Sequence, residues 1–206
     1  MYIGGKQSMF TKILTITAVL ISSTAIANEI TFEASNEMIE QIKKFESFSR
    51  CTYFDHKKNS IGYGSQRLEN NKPVPMTVKG KKFCITEERA TKLLKRDVKM
   101  KSDLVVALIF DRDITVNQEM IDALTSFTYN LGFGALTRSD LMDHLAEGKC
   151  KLAARDMNKY VNASGKRLKG LVDRRKVESE LLLKGCKELS SVYKDMKDKP
   201  KKKGKK

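Results

Sequence analysis

Apolar residues recur along the chain with two different periods. From Ser35 to Phe45, Ile39 and Ile42 mark one face of a short helix, with Ser35 placed to cap it and Glu37 and Glu40 in its first turn. Glu46 falls on that same face, four residues after Ile42 and seven after Ile39. Its carboxyl is therefore expected at the helix end against apolar surroundings, where desolvation disfavours the charged form and suits a proton donor. The period then shortens. Cys51–Phe54 and Ser60–Tyr63 are β-prone and flank the polar turn 55–59, which predicts a hairpin that returns Asp55 and Ser60 toward Glu46. Residues 69–82 contain Pro73, Pro75 and Gly80 and read as a loop or an irregular hairpin extension.

From Thr86 the helical period returns, with Ala90, Leu93, Leu94 and Val98 as its stripe and Glu87 and Glu88 in the first turn. We expect this helix to link a small β-containing lobe to a larger helical lobe that begins near Asp103. There Asn117 caps a helix whose core positions are Met120, Leu124, Phe127 and Leu131, closed by Gly132. Shorter helices follow over 139–145 and 152–161. A glycine turn at Gly165 then precedes a basic helix on which Leu171, Arg174, Arg175 and Glu178 lie within helical reach of one another.

The two ends of the chain read differently. Ile13–Ala27 is a mostly apolar stretch after Lys6 and Lys12 and ends in Ala25-Ile26-Ala27, the pattern of a cleaved signal peptide over residues 1–27. Its richness in Thr, Ser and Ala makes it only weakly apolar, and a second reading, implied by the family resemblance given below rather than by composition, is an anchor that later leaves the membrane. Either reading delivers residues 28–193 outside the cytoplasm, to the periplasm or the extracellular space. The last segment, 194–206, carries eight Lys against two Asp and is expected to be disordered.

Charge and cysteine content narrow the partners. The formal net charge is +15, of which Lys6 and Lys12 are the leader's only contribution. Such an excess calls for an anionic partner, and for an exported protein cell-wall polymers and anionic envelope lipids fit better than nucleic acid. The four cysteines, Cys51, Cys84, Cys150 and Cys186, all follow the leader, and an even count in an exported chain suggests disulfides. Three pairings are open; our expectation is Cys51 with Cys84 and Cys150 with Cys186, one in each lobe. With no Cys-x-x-Cys and with His56 and His144 as the histidines, no metal site and no cofactor are expected, nor is an amidase or peptidase centre. Nothing in the pattern demands more than a monomer.

The residues Phe45-Glu46, Tyr53-x-Asp55 and Ser60-Ile-Gly-Tyr-Gly together resemble the catalytic signature of phage-type lysozymes, glycoside hydrolase family 24. In that family a Glu, an Asp nine residues on and a Thr before Ile-Gly-x-Gly form the active constellation. Ser60 stands in the Thr position one residue early, the usual turn Gly is missing, and Ser65 stands where many members carry His. Two further blocks are similar to the family: Ile85–Leu94, like its interlobe helix, and Ala123–Gly134, like its buried central helix and glycine turn. A third, Gly165–Glu178, matches its Arg-rich helix.

The resemblance implies an α+β, lysozyme-like fold and hydrolysis of the β-1,4 bond between N-acetylmuramic acid and N-acetylglucosamine, with inversion. Glu46 would be the general acid, Asp55 would stabilise positive charge and position water, and the Ser60 hydroxyl would hold that water. Tyr63, Ser65 and Arg174 are the expected binding residues, Arg174 pairing with Glu46 across the cleft. Two other readings are a lysozyme fold that binds peptidoglycan without cutting it, and a cationic protein that perturbs membranes through its tail.

Overall fold

In the computed structural model, residues 33–55 and 58–198 are described, with side chains to residue 192. The expected leader lies outside the described residues, as do positions 199–206. The first lobe starts with helix α1 (Asn36–Glu46), whose first turn is capped by Ser35: the Oγ accepts from Met38 N at 3.1 Å, while Met38, Ile39 and Ile42 are buried. Strands β1 (Ser49–Asp55) and β2 (Lys58–Gly62) pair antiparallel, with Tyr53 opposite Ser60 and Asp55 opposite Lys58. Pairing thus continues to Asp55 and Lys58, into the polar run 55–59 expected to form the turn. The stretch read as a loop or hairpin extension contains a small hairpin, β3 (Thr77–Val78) and β4 (Lys81–Lys82), turned by Lys79 and Gly80, both at positive φ.

Helix α2 (Glu87–Asp111) begins at Thr86, whose Oγ1 accepts from Arg89 N at 3.2 Å. At 25 residues it is about 38 Å long. It runs past Asp103, the point where a second lobe was expected to begin, and serves both lobes because its apolar stripe does not break. Ala90, Leu93, Leu94 and Val98 join the core of the first lobe with Ile42, Ile61 and Tyr63, whereas Val105 and Ile109 join that of the second. Gly62 lets β2 approach this helix closely: a Cβ there would lie 2.8 Å from that of Ala90, and its φ is +66°.

The second lobe surrounds helix α3 (Gln118–Leu131), buried on all sides from Met120 to Thr128. Around it come α4 (Phe133–Thr137), α5 (Asp140–Ala146), α6 (Cys150–Met157), the two-residue strands β5 (Asn162–Ala163) and β6 (Lys166–Arg167), and α7 (Lys169–Asp198). Helix α6 is shorter than the expected 152–161 at its far end, because the chain turns at Asn158 into the β5–β6 hairpin. Helix α7 crosses α3 so closely that a Cβ on Gly185 would lie 2.4 Å from Asn117 Oδ1. It continues through Asp198, into the segment expected to be disordered. Disulfides join Cys51 to Cys84 and Cys150 to Cys186, one in each lobe as expected. The result is the α+β lysozyme-like architecture anticipated from the motifs. Among the described residues no helix is long and apolar enough to cross a membrane.

Candidate active site

Glu46 is the last residue of α1, and the chain leaves it by an unusual step. Ser47 has φ 57° and ψ 150°, a conformation nearly reserved to glycine, with its N–H closing the helix on Lys43 O. That step turns the backbone into β1 and leaves the Glu46 carboxylate facing α7. Arg174 Nη1 donates to Glu46 Oε1 at 2.5 Å, and the Arg174 guanidinium lies over the Phe45 ring at 4.9 Å. The surroundings of Glu46 are therefore not the apolar wall that its helical position suggested; they include a fixed cation.

Arg174 is itself held from behind. Its Nε donates to Glu178 Oε1 at 3.0 Å, one helical turn on, and its Nη2 donates to the Ser126 carbonyl at 2.9 Å. Ser126 Oγ also donates to Glu178 Oε1, at 2.6 Å. Arg175 Nη2 donates to Asn130 Oδ1 at 2.9 Å, and its Nε contacts Glu178 Oε2 at 3.0 Å as an ion pair rather than an aligned hydrogen bond. Two guanidinium groups and two carboxylates thus balance in charge in a setting where Arg175 and Glu178 are fully buried. Burial pushes the Glu178 carboxyl up against the opposing pull of both arginines, and burial lowers Arg175 to about 10.

Asp55 closes β1, and Tyr53 precedes it by two residues on the same face of the ribbon. The Tyr53 phenol is raised above its ordinary value, first by burial, then by the negative charges of Asp55 and Glu46. Both carboxylates therefore act on one half-buried tyrosine, which ties the hairpin to the end of α1. Ser60, opposite Tyr53, is only 1% exposed, and its Oγ has no hydrogen-bond partner among the described residues.

Tyr63 and Ser65 lie inside the first lobe. Tyr63 is 3% exposed and its hydroxyl donates to Glu87 Oε1 at 2.7 Å; burial and that hydrogen bond push the phenol up to about 12. Ser65 Oγ donates to Asp97 Oδ2 at 2.6 Å, and Asp97 also receives Arg96. Tyr129 donates to the Tyr63 carbonyl at 2.9 Å, and burial followed by the charges of Glu46 and Asp97 holds its phenol well above the ordinary range. Of the sequence-expected residues, the fold brings Arg174 onto Glu46 and sets Glu46 and Asp55 where both charges act on Tyr53. It buries Ser60, Tyr63 and Ser65.

The sequence reading passed over Ser126, Asn130, Asp97 and Tyr129. Ser126 and Asn130 left a readable signal, being polar residues four apart on a helix otherwise built for the core; Asp97, on a helix with many charges, left none. Cavities of about 510 Å³ beside Ser35, Ile39 and Lys99, and about 400 Å³ beside Met38, Asp122 and Leu181, include neither Glu46 nor Asp55. Among the described residues no three His, Cys, Asp or Glu side chains group to hold a metal ion.

The phage lysozyme family model matches residues 43–178, which spans the carboxylates, the central helix and Arg174. An endolysin of Bacillus phage B103 is 37% identical over 150 residues, covering 71% of this chain and 52% of that protein; the chain thus spans about half the length of that relative. A SAR-endolysin of Enterobacteria phage P21 is 35% identical over 72 residues, 35% of this chain and 44% of that protein. Among solved structures, an endolysin from Escherichia coli O157:H7 phage FAHEc1 superposes with a TM-score of 0.62 at 31% identity, covering 73% of this chain and 93% of that one.

Proposed function

Because this chain belongs to the phage lysozyme family, we propose that it is a peptidoglycan hydrolase that cleaves the β-1,4 bond between N-acetylmuramic acid and N-acetylglucosamine. The observation that carries this reading is the Glu46–Arg174 contact at 2.5 Å, made at a carboxyl that also shares the field of Tyr53 with Asp55. Breaking an acetal near neutral pH requires a proton on the departing oxygen and stabilisation of the oxocarbenium-like centre. Glu46 supplies the proton to the glycosidic oxygen as the C–O bond breaks. Asp55 stabilises the positive centre and takes a proton from the water that adds to it, and Ser60 orders that water. Arg174 holds the Glu46 carboxyl in place.

The N-terminal leader and the likeness to a SAR-endolysin support export to the periplasm. The net charge of +15 supports an anionic envelope as the surface on which the enzyme works, as a monomer. A second reading, a fold that binds peptidoglycan without cutting it, is favoured by one observation: the Ser60 hydroxyl is buried.

The deciding experiment digests purified peptidoglycan with the oxidised protein from Asn28 onward and with Glu46→Gln, reading new reducing ends and fragment masses. Muropeptides with reducing N-acetylmuramic acid ends from the wild type, reduced by at least about a hundredfold in the variant, are the expected result. Sedimentation of both proteins with the wall and cutting by neither would establish the binding reading instead.

A further inference from the structure

The β3–β4 hairpin is a feature that glycoside cleavage does not use. Every residue from Met76 to Lys82 is exposed. Between Asn70 and Thr86 the chain carries Lys72, Lys79, Lys81 and Lys82 and no acidic residue. None of these four ammonium groups meets a carboxylate among the described residues. Elsewhere on the surface some lysines are paired, Lys92 with Glu88 at 2.7 Å and Lys99 with Glu33 at 2.9 Å, whereas this hairpin gathers its unpaired cations in a segment with no carboxylate of its own.

The cations stand beside exposed apolar side chains. Val78 is 47% exposed and lies directly opposite Lys81; Met76 is 38% exposed, and Phe54 on neighbouring β1 is 67% exposed. Lysines that only protected a strand edge from pairing would leave no reason for apolar groups among them. The base of the hairpin is pinned. The Cys51–Cys84 disulfide joins it to β1, Thr52 Oγ1 donates to the Pro75 carbonyl at 3.0 Å, and Asn59 Nδ2 donates to the Val74 carbonyl at 3.0 Å. A short ribbon with unpaired cations and exposed Val and Met, held rigid at its root, has the composition of an interfacial lipid-binding tip.

We propose that this hairpin docks the protein on an anionic phospholipid surface, Lys72, Lys79, Lys81 and Lys82 meeting lipid phosphates while Met76, Val78 and Phe54 enter the acyl boundary. Charge complementarity alone would suit any polyanion; the exposed apolar side chains select the bilayer. The inference rests on the envelope-facing part of the proposed function and is independent of catalysis. Because the hairpin is tied to the ribbon that carries Asp55, docking would hold the candidate site beside the membrane.

The test measures flotation of the oxidised protein from Asn28 onward with vesicles of phosphatidylglycerol and phosphatidylcholine, beside a polyphosphate-binding control and cleavage of soluble peptidoglycan fragments. Three variants are compared: Lys79→Glu/Lys81→Glu/Lys82→Glu, Met76→Ser/Val78→Ser, and the chain ending at Asp198. The lysine variant is expected to lose at least about tenfold in vesicle affinity, and the serine variant to lose vesicle affinity while keeping polyphosphate binding. Both should cut soluble fragments as the wild type does, which verifies their folding. Vesicle binding unchanged by the lysine substitutions but abolished by truncation at Asp198 overturns the hairpin's role and leaves an envelope-seeking tail. Vesicle binding unchanged in the serine variant also overturns it, since the site would then read charge alone. No binding of the wild type to anionic vesicles overturns both the hairpin and the membrane-facing reading. Fragment cleavage reports on the hydrolase reading separately.

Discussion

Glu46 and Arg174 are 128 positions apart in the chain and 2.5 Å apart in the fold. That contact joins the last residue of the first helix to the last helix, and it is anchored by Glu178, buried behind Arg174. Replacing Glu178 by Gln keeps the shape but leaves two guanidinium groups facing one carboxylate. Loss of one partner from a buried ion-pair group costs about 3–5 kcal/mol. Urea unfolding of Glu178→Gln should show a loss of this order. A loss below about 1 kcal/mol would mean that the cluster is more solvated than its burial indicates.

Ser47 makes the step after Glu46 at φ 57°, ψ 150°, a region that costs a residue with a Cβ roughly 1–3 kcal/mol. Ser47→Gly should remove most of that strain, offset by the greater freedom of glycine in the unfolded chain. A net gain of about 1 kcal/mol corresponds to about 2–4 °C in Tm for a chain of this size. Calorimetry of the variant checks the sign, and parallel assays show whether the strained step is needed to aim the Glu46 carboxyl.

Much of the architecture was legible because caps and apolar periods agreed. Ser35, Thr86 and Asn117 cap helices as their sequence contexts predicted, and the Ile42, Leu93 and Leu124 stripes are core. The departures have local causes. The second lobe takes over near Asp103 inside α2 rather than at a break in the chain, because Val105 and Ile109 continue the stripe of Val98 without a breaker while packing into the second core. Tyr63 and Ser65 are binding residues only by the family resemblance; in the fold their hydroxyls are held by Glu87 and Asp97, partners on α2 whose approach is a tertiary fact. The Arg174–Glu46 pairing expected from the family resemblance is present, whereas helical periodicity alone set Glu46 against apolar surroundings, because it reports which face is apolar and not which residue arrives from 128 positions away.

The disulfides should contribute comparably, since they close spans of similar length, 33 and 36 residues. Chain-entropy reasoning gives about 3–4 kcal/mol for each. Their functional effects should differ. Cys150→Ser/Cys186→Ser should lower Tm with vesicle binding kept at temperatures where the protein is folded. Cys51→Ser/Cys84→Ser should in addition loosen the β3–β4 hairpin from β1 and weaken that binding. Flotation and thermal unfolding of the two pairs make the comparison.

Tyr63 provides a test of sign at alkaline pH. Burial and the hydrogen bond to Glu87 raise its phenol to about 12, against about 10 in the unfolded chain. Between these values the folded state keeps a proton that the unfolded state has released, so folding stability must fall as pH rises. The contribution is fully present below pH 10 and is lost toward pH 12, with a slope from one group of at most about 1.4 kcal/mol per pH unit. Tyr53 and Tyr129 are raised as well and add slopes of the same sign. Tyr63→Phe should therefore flatten the fall in unfolding free energy measured from pH 9 to 11.5 without abolishing it. An unchanged slope would show that the Tyr63 hydroxyl releases its proton as readily in the folded protein as in the unfolded chain, and that the Glu87 contact does not hold it.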